Sequence, residues 1–203
     1  ELMSIILKTF NGEDNTVNIS RFTVGRRKQI MDNLVYLVFK KMEYFNKSGF
    51  LNFDLGEFDP ITQTMHDHKK EHYSTFRMPY PYHHSAKCEL WLKTMDEIFE
   101  GNKDKISILQ EFFGYCLTRE TKQRKALLLI GESNCGKSTI LWTLRHLVGE
   151  ANCSDVSVNN IMNDQYTGNM LNKLVNFDTD TSQNAKEYED NFKKVVGGEP
   201  VSC

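Results

Sequence analysis

Eight consecutive residues, Gly131-Glu132-Ser133-Asn134-Cys135-Gly136-Lys137-Ser138, fit G-x-x-x-x-G-K-[ST] at every fixed position. Each residue type has a job in holding a polyphosphate. Gly131 and Gly136 permit backbone angles and close approaches that a Cβ would block, so successive amide N–H groups can turn inward onto a β-phosphate. Lys137 adds a mobile positive charge for the β- and γ-phosphates, and Ser138, with Thr139 behind it, offers a hydroxyl to Mg2+. The expected contacts to a nucleoside triphosphate are therefore Gly131, Glu132, Ser133, Asn134, Cys135, Gly136, Lys137 and Ser138, with Mg2+ as the accompanying ion. Hydrolysis also needs a carboxylate at the end of a neighbouring strand. Asp178 and Asp180 follow the apolar run Leu174-Val175-Asn176-Phe177 and stand in that place. Two positions apart, they share a face if the chain stays extended, and a turn after Asp178 separates them. Asp178 is assigned to the magnesium side together with Ser138, and Asp180 to activation of water.

The elements that must position these groups can be read around them. Ala126-Leu127-Leu128-Leu129-Ile130 is an uninterrupted apolar run of strand length, suited to a parallel strand buried on both faces. It feeds directly into Gly131. Ile140, Leu141, Leu144, Leu147 and Val148 mark the inner face of a helix that ends at Gly149. A polar, Asn-rich connection then leads to the second strand at 174–177. Strand, loop, helix, strand is an α/β unit. Upstream, a helix is expected from Ile30, Met31, Leu34, Val35, Val38, Met42 and Phe45, running to about Asn46, with a short strand at Phe50 to Phe53 and a loop-rich stretch to Pro81. A second helix, capped near Ser85, carries Leu90, Trp91, Met95, Ile98 and Phe99 and closes at Gly101. A third runs from about Asp104 through Ile106, Leu109, Phe112, Phe113 and Cys116. The expected fold class is α/β, a parallel-sheet ATPase domain over 104–203 preceded by a mainly helical domain over 1–103.

Composition bounds what remains. The 203 residues carry 25 basic and 27 acidic side chains, a net charge of -2, with 39% hydrophobic content. That is ample for a core and excludes a disordered chain. No apolar run reaches the length of a membrane span, so no membrane association is expected. A near-neutral charge gives no bulk affinity for nucleic acid, although Arg26-Arg27-Lys28 and Lys193-Lys194 are local basic clusters. The five cysteines are odd in number and form no C-x-x-C pair, which points to a reducing compartment such as the cytoplasm. The chain opens at Glu1 without a leader pattern and ends abruptly at Cys203, and is read as part of a longer polypeptide.

These residues together carry a resemblance. Gly131 to Ser138 reads G-x-x-N-x-G-K-S and is preceded by Phe113-Gly114-Tyr115-Cys116-Leu117-Thr118, which resembles the "G-Y-x-L-T" helix of phage, plasmid and large-DNA-virus primase-helicases, members of the superfamily 3 helicases. Gly49 to Asp54 resembles the "N-G-x-L-D-L" segment before the motor. Ala86 to Trp91 with Glu97-Ile98-Phe99 resembles "A-x-C-P-x-W…E-I-F", Lys173 to Asp180 the second ATPase motif, and Phe192 to Pro200 "l-K-x-l-x-G-G-D-p". The resemblance implies a truncated AAA+-like P-loop NTPase sheet in which Gly131 to Thr139 bind ATP, and an ATP-dependent DNA helicase motor acting on single-stranded or forked DNA. It further implies a homo-oligomeric ring, most simply a hexamer, a primase or polymerase domain in the same polypeptide, and the cytoplasm of a host cell as its place. Lys193 and Lys194 would fall near a DNA-contacting segment. The family usually has Glu where this chain has Asp180, one methylene shorter, and its sensor Asn and arginine finger would lie beyond Cys203. Two alternatives stand beside it: another phosphate-loop ATPase of packaging or partition type, and a non-catalytic oligomerisation or DNA-docking module with a vestigial nucleotide site.

Weaker constellations read as structural. His66, His68, His72, His83, His84 and Cys88 do not match a common zinc spacing and sit among charged residues of a solvated loop. Tyr73, Phe76, Tyr80 and Tyr82 with Arg77 could stack on bases, but such residues more often wedge a loop onto a core.

Overall fold

The computed structural model describes residues 23–161, 163, 166, 168–179 and 185–197. The chain divides into two compact units, Glu1–Glu43 and Tyr44–Cys203. The expected boundary between 103 and 104 lies inside the second. In the first unit, helix α1 spans Val24–Val38, and the Thr23 hydroxyl accepts from the Arg26 amide at 3.4 Å. The helix expected to reach Asn46 stops at Val38, with Phe39 extended and a 3-10 turn at Met42–Tyr44. Val35, Tyr36, Leu37 and Phe39 are all exposed, so burial of apolar side chains does not support continuation of the helix past Val38.

The second unit begins with a small antiparallel meander, β1 (Leu51–Phe53), β2 (Gly56–Asp59) and β3 (Thr64–His66), in that order. Phe58 stands opposite Leu51 and Met65 in its register. Asp59 shapes the second turn by accepting from the Ile61 amide and the Thr62 hydroxyl, both at 2.8 Å. Residues 76–80 run beside β1, with the Met78 amide donating to Asn52 O at 2.8 Å and the Asp54 amide to Tyr80 O at 3.2 Å. Phe53, Phe76 and Met78 are buried together between these segments. A three-stranded sheet thus lies within the region 1–103 that was expected to be mainly helical. Strands of three or four residues are too short to show an alternating pattern of their own.

Three helices build the main core: α2 (Glu89–Ile98), α3 (Lys103–Leu117) and α4 (Lys137–Val148). Helix α2 starts at Cys88 and not Ser85, and closes with the Gly101 amide on Asp96 O at 2.8 Å. Asn102 caps α3 by accepting from the Lys105 amide at 3.1 Å. Met95, Ile106, Leu109, Phe113, Cys116, Ile140, Leu144, Val148, Cys153 and Phe177 form one buried cluster. Trp91 stacks on Phe113 with ring centroids 5.5 Å apart and joins α2 to α3. Leu90, expected on the inner face, is 79% exposed.

The far end of α4 is tied to the meander. Tyr80 donates its hydroxyl proton to Leu147 O, and the Asn152 amide nitrogen donates to Arg77 O at 2.9 Å and Val148 O at 2.8 Å. A Cβ on Gly149 would lie 2.7 Å from Pro79 Cδ.

A two-stranded parallel sheet follows, β4 (Cys153–Ser154) and β5 (Val175–Asn176), with Cys153 opposite Val175. The Asn176 side chain holds the continuation of β4 through Ser154 Oγ and both backbone groups of Val156, at 2.8 to 2.9 Å. Helix α5, Ala185–Gly197, places Phe192 and Val195 on Val156, Val158 and Ile161. The strand expected at 126–130 is not formed among the described residues. Leu127 and Leu129 turn onto the core, while Leu128 and Ile130 are 68% and 85% exposed. The segment carries the apolar character of a buried strand, but pairing is a property of neighbours, and none is hydrogen-bonded to it as a strand. No described helix is long and apolar enough to cross a membrane.

Burial raises the Cys116 thiol to about 12 and Cys153 to about 11. Both values lie above the ordinary thiol pKa of 9.0, so the native state holds these protons more tightly than the unfolded chain. The stability they support is complete below pH 9 and is lost as pH climbs through 11. Each thiol can remove up to about 1.4 kcal/mol per pH unit within that window. Urea midpoints measured from neutral pH into that range should fall more steeply for the parent than for Cys116→Ala/Cys153→Ala; parallel slopes would sink the assignment.

Candidate nucleotide site

The loop between Ile130 and α4 curls around its own lysine. Lys137 Nζ donates to Gly131 O at 2.9 Å and Glu132 O at 2.5 Å, and lies 3.4 Å from Cys135 Sγ. The first and last parts of an eight-residue segment are thus gathered about one ammonium. Two backbone positions make the turn, Asn134 at φ 62° and Gly136 at φ 88°. Both glycines also have close side-chain neighbours, and at Gly136 the left-handed backbone adds to the need for glycine. A Cβ on Gly131 would meet Cys135 Sγ at 2.7 Å, and one on Gly136 would meet Ile98 Cδ1 at 2.5 Å.

Gly136 is also the N-cap of α4, and no side chain caps the helix there. The first intrahelical bond is from the Ile140 amide to Gly136 O at 3.1 Å. The amides of Lys137, Ser138 and Thr139 therefore precede the helical ladder and point along the positive end of the helix dipole. Ser138 and Thr139 are exposed, as are residues 131–135. Of the set 131–139 the structure gathers Gly131, Glu132, Cys135 and Lys137 about the ammonium, with the exposed Ser138 and Thr139 in the first turn of the helix. Such an arrangement can hold an anion, and Ser138 Oγ could face a metal ion carried with it.

Asp178 is engaged elsewhere in the fold. Asp178 Oδ2 accepts from the Val158 amide at 2.8 Å, so this carboxylate organises the turn at Val158–Asn160. It lines a cavity of about 430 Å3 with Leu127, Leu128, Val175 and Asn176, to which no residue of 131–138 contributes. Asp180 lies outside the described residues. Lys193 and Lys194 are on the exposed side of α5, and Lys193 Nζ donates to Glu189 Oε1 one turn earlier at 2.5 Å. That bond and the charge of Glu189 raise the Lys193 pKa from its ordinary value.

His72 and the aromatic residues are used inside the fold, while His66, His68, His83 and His84 are exposed. Glu57, 2% exposed, faces His72 Nδ1 at 2.5 Å, and Phe50 packs edge-on to His72 and flat on His66. Among the described residues no three metal-ligating side chains converge. Tyr82 packs on Phe53 and Phe58, Phe76 is buried, and Arg77 pairs with Asp54 at 3.4 Å, which is the wedging arrangement. Arg145, on α4, is bound by Asp155 and Glu150 and lies 4.5 Å over the Phe177 ring. The contact between Ile98 and Gly136, 38 positions apart, has no signature in the sequence.

A family of unknown function, DUF5906, matches residues 129–203, from the end of the apolar run through the phosphate loop and onward. No curated protein matches the chain.

Proposed function

We propose that residues 131–139 bind a nucleoside triphosphate, ATP, with Mg2+, and that the chain belongs to the motor of a superfamily 3-type DNA helicase. The closure of the loop around Lys137, with glycines at the two positions where a Cβ collides, is the observation that supports the reading most. In this role the ammonium exchanges the carbonyls of Gly131 and Glu132 for β- and γ-phosphate oxygens. The α4 amides meet the β-phosphate, and Ser138 supplies a hydroxyl to Mg2+. The ordered series of resembling segments from Gly49 to Pro200 points from a generic ATPase towards a replicative helicase working on single-stranded or forked DNA as a ring. Lys193 and Lys194 are its candidate DNA contacts. Asp180 remains the proposed water-activating group.

Asp178 favours a narrower second reading. With one oxygen engaged by the Val158 amide, it serves the fold, and the chain by itself binds nucleotide without rapid turnover.

Cys135 offers a direct test. Its sulfur lies inside the loop, beside Gly131 and Lys137, so bound MgATP should slow its alkylation by about tenfold at a nucleotide concentration roughly ten times Kd. Exposed Cys88, outside the loop, should label at an unchanged rate. Equal labelling of Cys135 with and without MgATP would exclude occupancy of the loop. Unwinding of a forked duplex by the full-length protein, lost on removal of Lys137, tests the motor assignment.

A further inference from the structure

The phosphate loop has a floor that the motif does not encode. Helix α2 ends at Ile98, and Ile98 Cδ1 and Cγ1 lie 2.5 and 2.8 Å from where a Cβ on Gly136 would be. The isoleucine therefore occupies the space behind the one loop residue that is both left-handed, at φ 88°, and the N-cap of α4. Ile98 is presented by a rigid element. Met95, one turn earlier, is fully buried, and the turn after Ile98 is locked by bonds from the Phe99 amide to Met95 O and the Gly101 amide to Asp96 O. At the start of the loop, Cys135 Sγ lies 2.7 Å from where a Cβ on Gly131 would be. The loop is thus held between a branched aliphatic side chain below Gly136 and its own folded-back cysteine.

We infer that Ile98 is a positioning residue for the phosphate loop: seated against Gly136, it holds the start of α4 and the loop's opening in the form that accepts a triphosphate. The nucleotide part of this inference rests on the function proposed above, whereas the control of loop conformation does not. Truncating Ile98 frees Gly136 to sample other angles, and a glycine loses more conformational entropy than any other residue when it is fixed again. The cost falls on each binding event, because an opening that is populated only part of the time lowers apparent affinity in proportion.

The cysteines read this out. Alkylation resolved by peptide mass spectrometry follows Cys135 in the loop, Cys88 as exposed reference, and buried Cys116 and Cys153 as reporters of global unfolding. In Ile98→Ala, Cys135 should react about fivefold faster without nucleotide, as expected for local opening, while Cys88 keeps its rate and Cys116 and Cys153 stay protected. Affinity for MgATP, measured by calorimetry, should fall by about tenfold. Ile98→Val, which removes one methyl and is safe for the fold, should shift both quantities in the same direction by about twofold and so restore most of the loss. If the alanine variant exposes Cys116 and Cys153, the valine variant decides alone.

A Cys135 rate that is unchanged or slower in both variants overturns the inference, whatever their thermal stability, because a residue acting through stability alone moves the melting temperature and not the folded loop. A parent that fails to bind MgATP while the Ile98 series still alters Cys135 would overturn the nucleotide reading and leave this one standing.

Discussion

Replacing Lys137 by alanine is expected to weaken MgATP binding by about a hundredfold, or roughly 2.7 kcal/mol, with little change in the thermal transition. The size follows from the bonds exchanged. In the free loop the ammonium bonds to the carbonyls of Gly131 and Glu132, and on binding it must trade these for phosphate oxygens. Bonds in which both partners are charged exceed those to neutral carbonyls, each being worth about 1.5–3 kcal/mol, so the trade favours the nucleotide. The fold should barely notice. Both carbonyls belong to exposed residues and can be hydrated once the lysine is gone. Titration calorimetry on parent and variant, with circular dichroism as the control of folding, measures both. Retention of parental affinity by Lys137→Ala would remove the loop from the binding site.

Truncation of Leu144 should produce the largest loss of stability, about 3 kcal/mol for Leu144→Ala. Leu144 is 2% exposed and lies on the buried face of α4 one turn after Ile140, within the cluster that also holds Met95, Leu109 and Phe113. Those neighbours sit on three helices packed against one another, so little backbone can collapse into the void. Leu144→Met, which nearly conserves volume, should cost less than about 1.5 kcal/mol. Leu128→Ala, from the expected but unpaired strand, should stay within about 0.5 kcal/mol, since its side chain is in water. Urea unfolding ranks the three. A loss at Leu144 no larger than at Leu128 would contradict the core described for α2, α3 and α4.

The contrast between Leu144 and Leu128 also marks what a sequence can disclose. Helices α2, α3 and α4 were readable because their periodicity is local and two of their ends are written in single residues, Gly101 past α2 and Gly149 past α4. The closed turn at 131–137 is local too, since every contact among Gly131, Glu132, Cys135 and Lys137 spans six positions or fewer. Residues 126–130 misled because they are apolar enough for a buried strand, while a strand exists only by virtue of partners distant in sequence. The short strand expected at Phe50 to Phe53 is β1, whereas β2, β3 and β4 were missed since strands of two to four residues hold too little pattern, and α5 because its inner face rests on only a few apolar residues, Phe192 and Val195 among them. Asp178 was placed correctly at the end of β5, but its bond to the Val158 amide, 20 positions away, could not be foreseen.

Helix α4 is gripped at both ends. Its first residues grow out of the glycine-bounded loop, and its last carbonyls are held by Tyr80 and by Asn152, which also grasps Arg77, with Pro79 pressed on Gly149. Twelve residues make a rod about 18 Å long. One rod therefore sets the spacing between two segments far apart in sequence, the glycine-bounded loop at one end and residues 77–80 beside β1 at the other.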